Sequence, residues 1–297
     1  MNLSPRYWVK TAANAAAFAL RQKIRWRRGR PRLIGDDRPD DYAEWPGETR
    51  AEAHALAETL MERYALGPFR SILSRDQFRK NVYLLDVLEK VWRRLPAPPR
   101  PAASESFSAL DVGTADWNYV FALHAFLKKR LSPSDTPDVA AGPPGEFRLA
   151  GLEIDGYGVY SNGYSRCDYA QAYVAALGDP GVSLRFENAL EADSPPQDVL
   201  FCFFPFLLPY QILDWGLPLR QLKPAELLRR QASWLKPGGL WLLFTHAEEE
   251  REPMKRYLSA IPQLEWLDHG PIESRLDLPT GDYSERWFWL LRKAPRP

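Results

Sequence analysis

From residue 107 onward the chain alternates short apolar runs with longer amphipathic ones: 107–112, then 118–130; 148–154, then 168–177; 182–187; 198–204, then 224–235; 239–245, then 250–259; and last 263–268 and 286–292. The short runs predict strands and the longer periodic segments predict helices. A parallel neighbour can be reached only by a crossover, so this alternation predicts an α/β domain: a mostly parallel sheet with helices on both faces.

The first run, Phe107-Ser-Ala-Leu-Asp-Val-Gly-Thr-Ala-Asp-Trp, ends in Asp111, turns at Gly113 and passes straight into a helical pattern. A glycine lets backbone approach a ligand without a Cβ in the way, and a helix start beside it offers N–H donors. The second run, from Phe147, ends in Glu153. A carboxylate there suits a ribose diol, because it accepts two hydroxyl hydrogens at once. Together the two strand ends point to a nucleoside-type cofactor. A nicotinamide dinucleotide would want Gly-x-Gly-x-x-Gly, which here becomes Gly113-Thr-Ala-Asp-Trp-Asn; Trp117 and Asn118 would crowd the diphosphate.

Ahead of the alternating region, segments 50–66 and 75–95 show helical spacing, the latter through Phe78, Val82, Leu85, Val87, Leu88 and Val91. Leu95-Pro-Ala-Pro-Pro-Arg-Pro is a stiff connector, which sets an N-terminal helical cap with a basic segment at 1–96 and the α/β domain at 101–297. Residues 1–32 hold no acid, while Arg21, Lys23, Arg25, Arg27, Arg28, Arg30 and Arg32 crowd one stretch with Ala15–Leu20, Ile24 and Trp26 interleaved. Such a segment could lie on an anionic membrane surface or contact nucleic acid, or be a solvated face or be neutralised by the acids at 36–44. Deleting it is expected to leave the core folded.

With a formal charge of +1, the chain of 297 residues is no polycation built to wrap nucleic acid, and no recognition-helix module or zinc knuckle stands out. Two cysteines and four scattered histidines exclude a disulfide framework and a multi-cysteine zinc site; no metal is expected, and a reducing cytoplasm is. The longest apolar stretch, Val199–Pro209, is about half the roughly 20 residues a spanning helix needs, so no transmembrane segment is expected. The alanine-rich start carries its cations after the weak apolar stretch, unlike a secretory leader.

Over roughly residues 105–293 the chain resembles the class I S-adenosylmethionine-dependent methyltransferases, chiefly through the order of its features. Leu110-Asp-Val-Gly-Thr-Ala-Asp is similar to the first-strand Asp-x-Gly-x-Gly signature, and Gly151-Leu-Glu-Ile-Asp to the second-strand acid. Glu187-Asn-Ala-Leu resembles the Gly-Asp-Ala after the third strand, Asp198-Val-Leu-Phe starts the fourth, and Leu235-Lys-Pro-Gly-Gly precedes the fifth. The resemblance implies a Rossmann-like, seven-stranded sheet with a reversed final strand. It also implies S-adenosylmethionine as cofactor and methyl transfer to a small or medium-sized acceptor. Carried over, Gly113 and Ala115 would line the methionine end, Asp111 would help bind its amino group, Glu153 would take the ribose hydroxyls, and Asn188 would face the adenine amino group. The second glycine of the signature is Ala115 here, and Trp117 stands where a third small residue is usual; the indole is expected to intrude on the ligand's surface.

Ligands of open α/β sheets bind beyond the carboxyl ends of the strands. After the fourth strand comes Phe203-Phe-Pro-Phe-Leu-Leu-Pro-Tyr, either a buried wall or an aromatic shelf, with no polar group to guide an amine. After the fifth comes His246, a candidate general base, or a strand-end residue ahead of acids that favour a helix start. Arg166, Asp168 and the tyrosines around them could hold an anionic substrate or could be a helix cap with loop anchors, and Leu208–Pro224 has the length of a lid. The alternative to an enzyme is an adenosyl-ligand-binding or interaction protein that keeps the fold without turnover. Transfer of an aminopropyl group would want acids around a polyamine, and Phe203–Phe206 supplies none.

Overall fold

The computed structural model describes residues 5–35, 41–95, 106–131, 146–276 and 286–295. The proline connector and the domain boundary placed in it, most of the loop 131–146, and the acids Asp36, Asp37 and Asp40 lie outside the described residues.

Seven strands form one sheet: β1 (Phe107–Val112), β2 (Phe147–Leu152), β3 (Val182–Arg185), β4 (Gln197–Phe203), β5 (Leu235–Thr245), β6 (Leu264–Pro271) and β7 (Trp287–Lys293). Their order is β3-β2-β1-β4-β5-β7-β6, with β7 antiparallel to both neighbours and the rest parallel. This is the class I methyltransferase fold, reversed final strand included. The chain winds outward from β1 to β3 and then returns to β4 on the other side of β1. That reversal opens a crevice at the carboxyl ends of β1 and β4.

Side-chain alternation explains why both faces must be covered. In β4, Val199, Phe201 and Phe203 join one apolar cluster and Leu200 and Cys202 another; Leu240, Leu242 and Phe244 of β5 likewise part from Trp241 and Leu243. Strands apolar on both faces are stable only between two helical layers. Helices α7 (Pro224–Ser233) and α8 (Arg251–Ser259) cover one face through Leu228, Ala232, Met254 and Leu258. On the other lie α4 (Val120–Leu131), α5 (Arg166–Leu177) and, from the N-terminal cap, α2 (Gly47–Arg63) and α3 (Arg75–Trp92), in a cluster that includes Val82, Leu85, Phe121, Tyr173 and Phe288. One core therefore runs from the cap into the sheet. Asn81 of α3 joins them with polar bonds as well, donating to Asn118 O at 2.8 Å and accepting from Ala122 N at 3.0 Å.

The motif Leu235-Lys-Pro-Gly-Gly behaves differently from a plain helix-to-strand turn. Leu235 already pairs with Gln197, and a register shift follows before Val199 meets Leu240. Gly238 absorbs the extra length at φ 78°, where a side chain would be strained.

The longest helix, α1 (Pro5–Ile24), precedes all of this and lies across the carboxyl side of the sheet. Phe18 packs with Ile212, Leu213 and Leu217, Gln22 Nε2 donates to Ile154 O at 2.8 Å, and Arg21 pairs with Asp155 at 2.9 Å. The segment after it stays on the same ground: backbone N–H groups of Arg28 and Gly29 donate to Asp168 at 2.9 and 3.2 Å. The basic stretch thus neutralises acids of the α/β domain. Asp41 and Glu44, the described acids of the 36–44 group, pair instead with Arg70, Arg75 and Arg79.

Candidate functional site at the strand ends

Parallel register brings the two sequence signatures side by side: Val112 faces Leu152, and Gly113 N donates to Leu152 O at 2.8 Å. Beyond that point the chain takes left-handed conformations at Gly113 (φ 85°), Ala115 (φ 55°) and Trp117 (φ 54°). Glycine adopts this region freely; other residues occupy it only when surrounding contacts hold them there. Glu153 supplies the first contact, accepting Ala115 N on Oε2 at 2.7 Å and Asp155 N on Oε1 at 2.8 Å. Trp117 supplies the second, its indole N–H donating to Asp111 Oδ2 at 2.8 Å.

Contrary to what the sequence predicts, the indole does not intrude on the surface over the turn. Trp117 is fully buried and turned into the core against β2. Gly151 makes the room, for a Cβ there would lie 3.1 Å from the Trp117 ring and 2.7 Å from Leu184 Cδ1. A Cβ on Gly113, by contrast, would meet nothing within 4 Å, so the surface over the turn is open.

Asp111 is fully buried, and its Oδ1 has no hydrogen-bond partner. Burial pushes its pKa up to about 7, against the Tyr119 hydroxyl, the Trp117 indole and the Lys80 ammonium, all of which favour the charged form. Burial raises Glu153 as well, opposed by the two backbone N–H groups it accepts and by Arg166. Both carboxyls therefore sit where a cation or hydroxyl donor would find poorly solvated oxygens.

Beside Glu153, a cavity of about 480 Å³ opens among Ile154, Phe186 and Asn188 on the sheet side and Phe18, Gln22 and Arg25 of α1 and the residue after it. Asn188 reaches this cavity, but its side chain is engaged in its own turn: Oδ1 accepts Leu190 N at 3.1 Å, and Nδ2 donates to Glu191 at 3.0 Å and Gln221 at 3.2 Å. Asp155 lies between Arg21 and Arg166, the latter 2.7 Å away and stacked over Trp215 at 4.2 Å. Arg166 is thereby committed to the roof. Asp168 is part of the capping box of α5 and also ties down the N-terminal segment. The Leu208–Pro224 insertion folds into α6 (Pro209–Asp214) and a short 3₁₀ turn, and packs beneath α1.

On the other side of the turn, His246 follows β5 and stacks on Phe204 with centroids 3.7 Å apart. Burial, then Arg286 and Lys80, push its pKa down to about 4, so the imidazole is neutral at pH 7. Glu250, fully buried, accepts the His246 and Ala247 amides, as a helix-start acid would. Of the residues read from sequence, Asp111, Gly113, Ala115 and Glu153 therefore form one constellation, Asn188 borders the neighbouring cavity, and His246 stands apart at the end of β5.

Lys80 was not evident in the sequence. It sits half-buried on α3 with its ammonium 4.6 Å from the Tyr119 ring centre, and among the described residues no hydrogen bond or ion pair reaches it. Burial lowers its pKa against the pull of Asp116 and Asp111. Asp116 in turn accepts the Tyr160 hydroxyl at 3.0 Å. Nothing in the spacing of α3 separates Lys80 from a surface lysine; only the docking of α3 on α4 brings it here. Among the described residues no group of acids, histidines and cysteines could hold a metal ion.

No protein-family model matches the chain, and no curated protein does. Among solved structures it is similar to a SAM-dependent methyltransferase from Aquifex aeolicus, at 14% identity over 72% of this chain and 92% of that one, with a TM-score of 0.45. The N-methyltransferase NodS from Bradyrhizobium japonicum, in complex with S-adenosyl-L-homocysteine, is 11% identical over 71% of this chain and 87% of its own, with a TM-score of 0.42. The cyclase SpnF is 15% identical over 84% and 98%, with a TM-score of 0.43. The fold is read from the chain's own strand order and reversed β7.

Proposed function

We propose that this chain binds S-adenosylmethionine across the carboxyl ends of β1, β2 and β3 and methylates a small or medium-sized acceptor held between that edge and α3. The observation that carries the reading is the turn at 113–117, which keeps three left-handed residues although only one of them is glycine. Strain of this kind is retained where the backbone path itself is needed.

The residues present fit such a cofactor. Asp111 Oδ1 is a buried oxygen without a partner, suited to an ammonium group. Each oxygen of Glu153 accepts one backbone N–H and keeps a lone pair for a ribose hydroxyl. Ile154 and Phe186 offer apolar contact to a purine next to Asn188, and Gly113 leaves the backbone open along the methionine end. Bound there, the cofactor would supply an electrophilic methyl group on a sulfonium. Such displacement asks the protein mainly to align the acceptor and exclude water. The roof of α1 over α6 supports the exclusion, and Tyr119, Tyr160 and Lys80 are placed to orient a polar acceptor. His246, held neutral, is the group available to take a proton. The buried, unbridged thiols of Cys167 and Cys202 suit a reducing, cytoplasmic setting.

Titration calorimetry tests the reading: S-adenosylmethionine and S-adenosylhomocysteine should bind, a nicotinamide dinucleotide should not, and Glu153→Ala should weaken binding by about 1–3 kcal/mol. No heat from either adenosyl compound would refute it. A second reading, an adenosyl-ligand-binding or interaction protein without turnover, is favoured by one observation. The end of β4 is aromatic, and His246 is stacked on Phe204 there. Tight S-adenosylhomocysteine binding with no methyl transfer to amine, hydroxyl or carbon acceptors would select it.

A further inference from the structure

Surface helices normally turn their apolar stripe inward. α1 does the reverse. Its inner face is mostly polar: Asn14 donates to Leu213 O and Leu217 O, Thr11 accepts Leu219 N, and Arg21 and Gln22 bind Asp155 and Ile154 O, with Phe18 buried among them. Its outer face is apolar. Trp8 is 62% exposed, Val9 73%, Leu20 58% and Ile24 57%, with Ala12, Ala13, Ala16 and Ala17 exposed between them. Lys23 is exposed in the last turn of this stripe, and Lys10, paired with Asp214, stands at its edge. After Ile24, Arg27 pairs with Asp168 and Trp26 and Arg28 donate to loop carbonyls, while Arg30 and Arg32 are exposed. Among the described residues Lys23, Arg30 and Arg32 have no ion-pair partner, and no acid occurs before Asp36.

We propose that α1 docks the protein on an anionic lipid surface, with Trp8, Val9, Leu20 and Ile24 entering the headgroup boundary and Lys23, Arg30 and Arg32 meeting lipid phosphates. The combination of a wide apolar stripe with cations at its edges matches that surface in both chemistry and charge. A second copy of this chain would set the same cations against each other. A nucleic-acid backbone would satisfy the arginines and leave the stripe in water. The helix is anchored along its whole inner side, so it lies in the plane of the interface rather than entering end-on. The inference does not depend on methyl transfer, but it bears on the site: Phe18, Gln22 and Arg25 wall the cavity beside Asn188, so a docked α1 holds that roof in place.

The test is co-sedimentation of the full chain with vesicles of phosphatidylcholine alone and of phosphatidylcholine mixed with phosphatidylglycerol. Binding to the mixed vesicles should be stronger by about tenfold or more and should fall with salt. Leu20→Glu and Ile24→Glu should each weaken it by about tenfold with an unchanged thermal transition, since neither side chain packs on the core. Absence of binding, equal binding to both vesicle types, or full binding by the glutamate variants would overturn the proposal. So would sedimentation showing that, without vesicles, wild type is a dimer that Leu20→Glu dissociates.

Discussion

Asp111 concentrates the chemistry of the site in one side chain. Its folded pKa, about 7, lies above the ordinary 3.8, so between those values the folded state holds a proton that the unfolded state has lost. Stability from this group is complete at low pH and is lost as pH rises through 7. Asp111→Asn keeps an oxygen for the Trp117 indole and removes the charge. The variant should therefore melt a few degrees above wild type at pH 8, and the gap should close near pH 4. Scanning calorimetry across pH checks this; a gap independent of pH would show that the carboxyl is not held protonated. His246 acts with the opposite sign. Its pKa of about 4 lies below the ordinary 6.5, so its contribution is present above 6.5 and lost as pH falls toward 4. The same Asp111→Asn change should weaken S-adenosylhomocysteine binding, a case of stability set against function at one residue.

Among the elements, the turn after β1 depends on the strand beside it. Gly151 lies within β2, where only its missing Cβ lets Trp117 and Leu184 pack closely, and that packing holds the left-handed path of 115–117. Gly151→Ala should cost about 1–3 kcal/mol of stability through overpacking. It should also weaken adenosyl-ligand binding, because the indole must move and the turn with it. Urea denaturation and calorimetry read the two effects; an unchanged midpoint would show that the neighbours yield freely. Asp111, Gly113 and Glu153 were legible beforehand because each stands at the end of an apolar run, where local pattern and strand periodicity suffice. The place of Trp117 was not, since a bulky residue at a small-residue position says nothing about which way its ring turns.

Across the whole molecule, the N-terminal segment turns out to be part of the architecture. Removing residues 1–32 should leave the sheet able to fold, as the sequence suggests, but it uncovers Ile212, Leu213 and Leu217. It also leaves the buried Asp155 with Arg166 but without Arg21, and Asp168 with its α5 cap but without Arg27 and the Arg28 and Gly29 amides. Loss of Phe18 burial alone, about 1.5–3 kcal/mol, at roughly 2–4 °C per kcal/mol, should lower the thermal transition by several degrees. Ligand affinity should fall with it, since one wall of the cavity is gone. An unchanged transition would mean that α1 is only loosely attached.

Local chemistry written into the chain determined the alternation of strands and helices and the acid and glycine at the first two strand ends, while the reversed last strand was implied by the family resemblance and its pairing with β5 and β6 came from the tertiary structure. Periodicity and turn residues act over a few positions, so they can be read without the fold. Contacts between distant segments were decided only in three dimensions: Arg21 with Asp155, Asn81 with Ala122, Lys80 over Tyr119. No short-range pattern encodes such pairs, because each depends on where two separately formed elements come to rest. The inverted face of α1 belongs with them, for whether an alanine-rich helix is amphipathic inward or outward is settled by the surface it lies on.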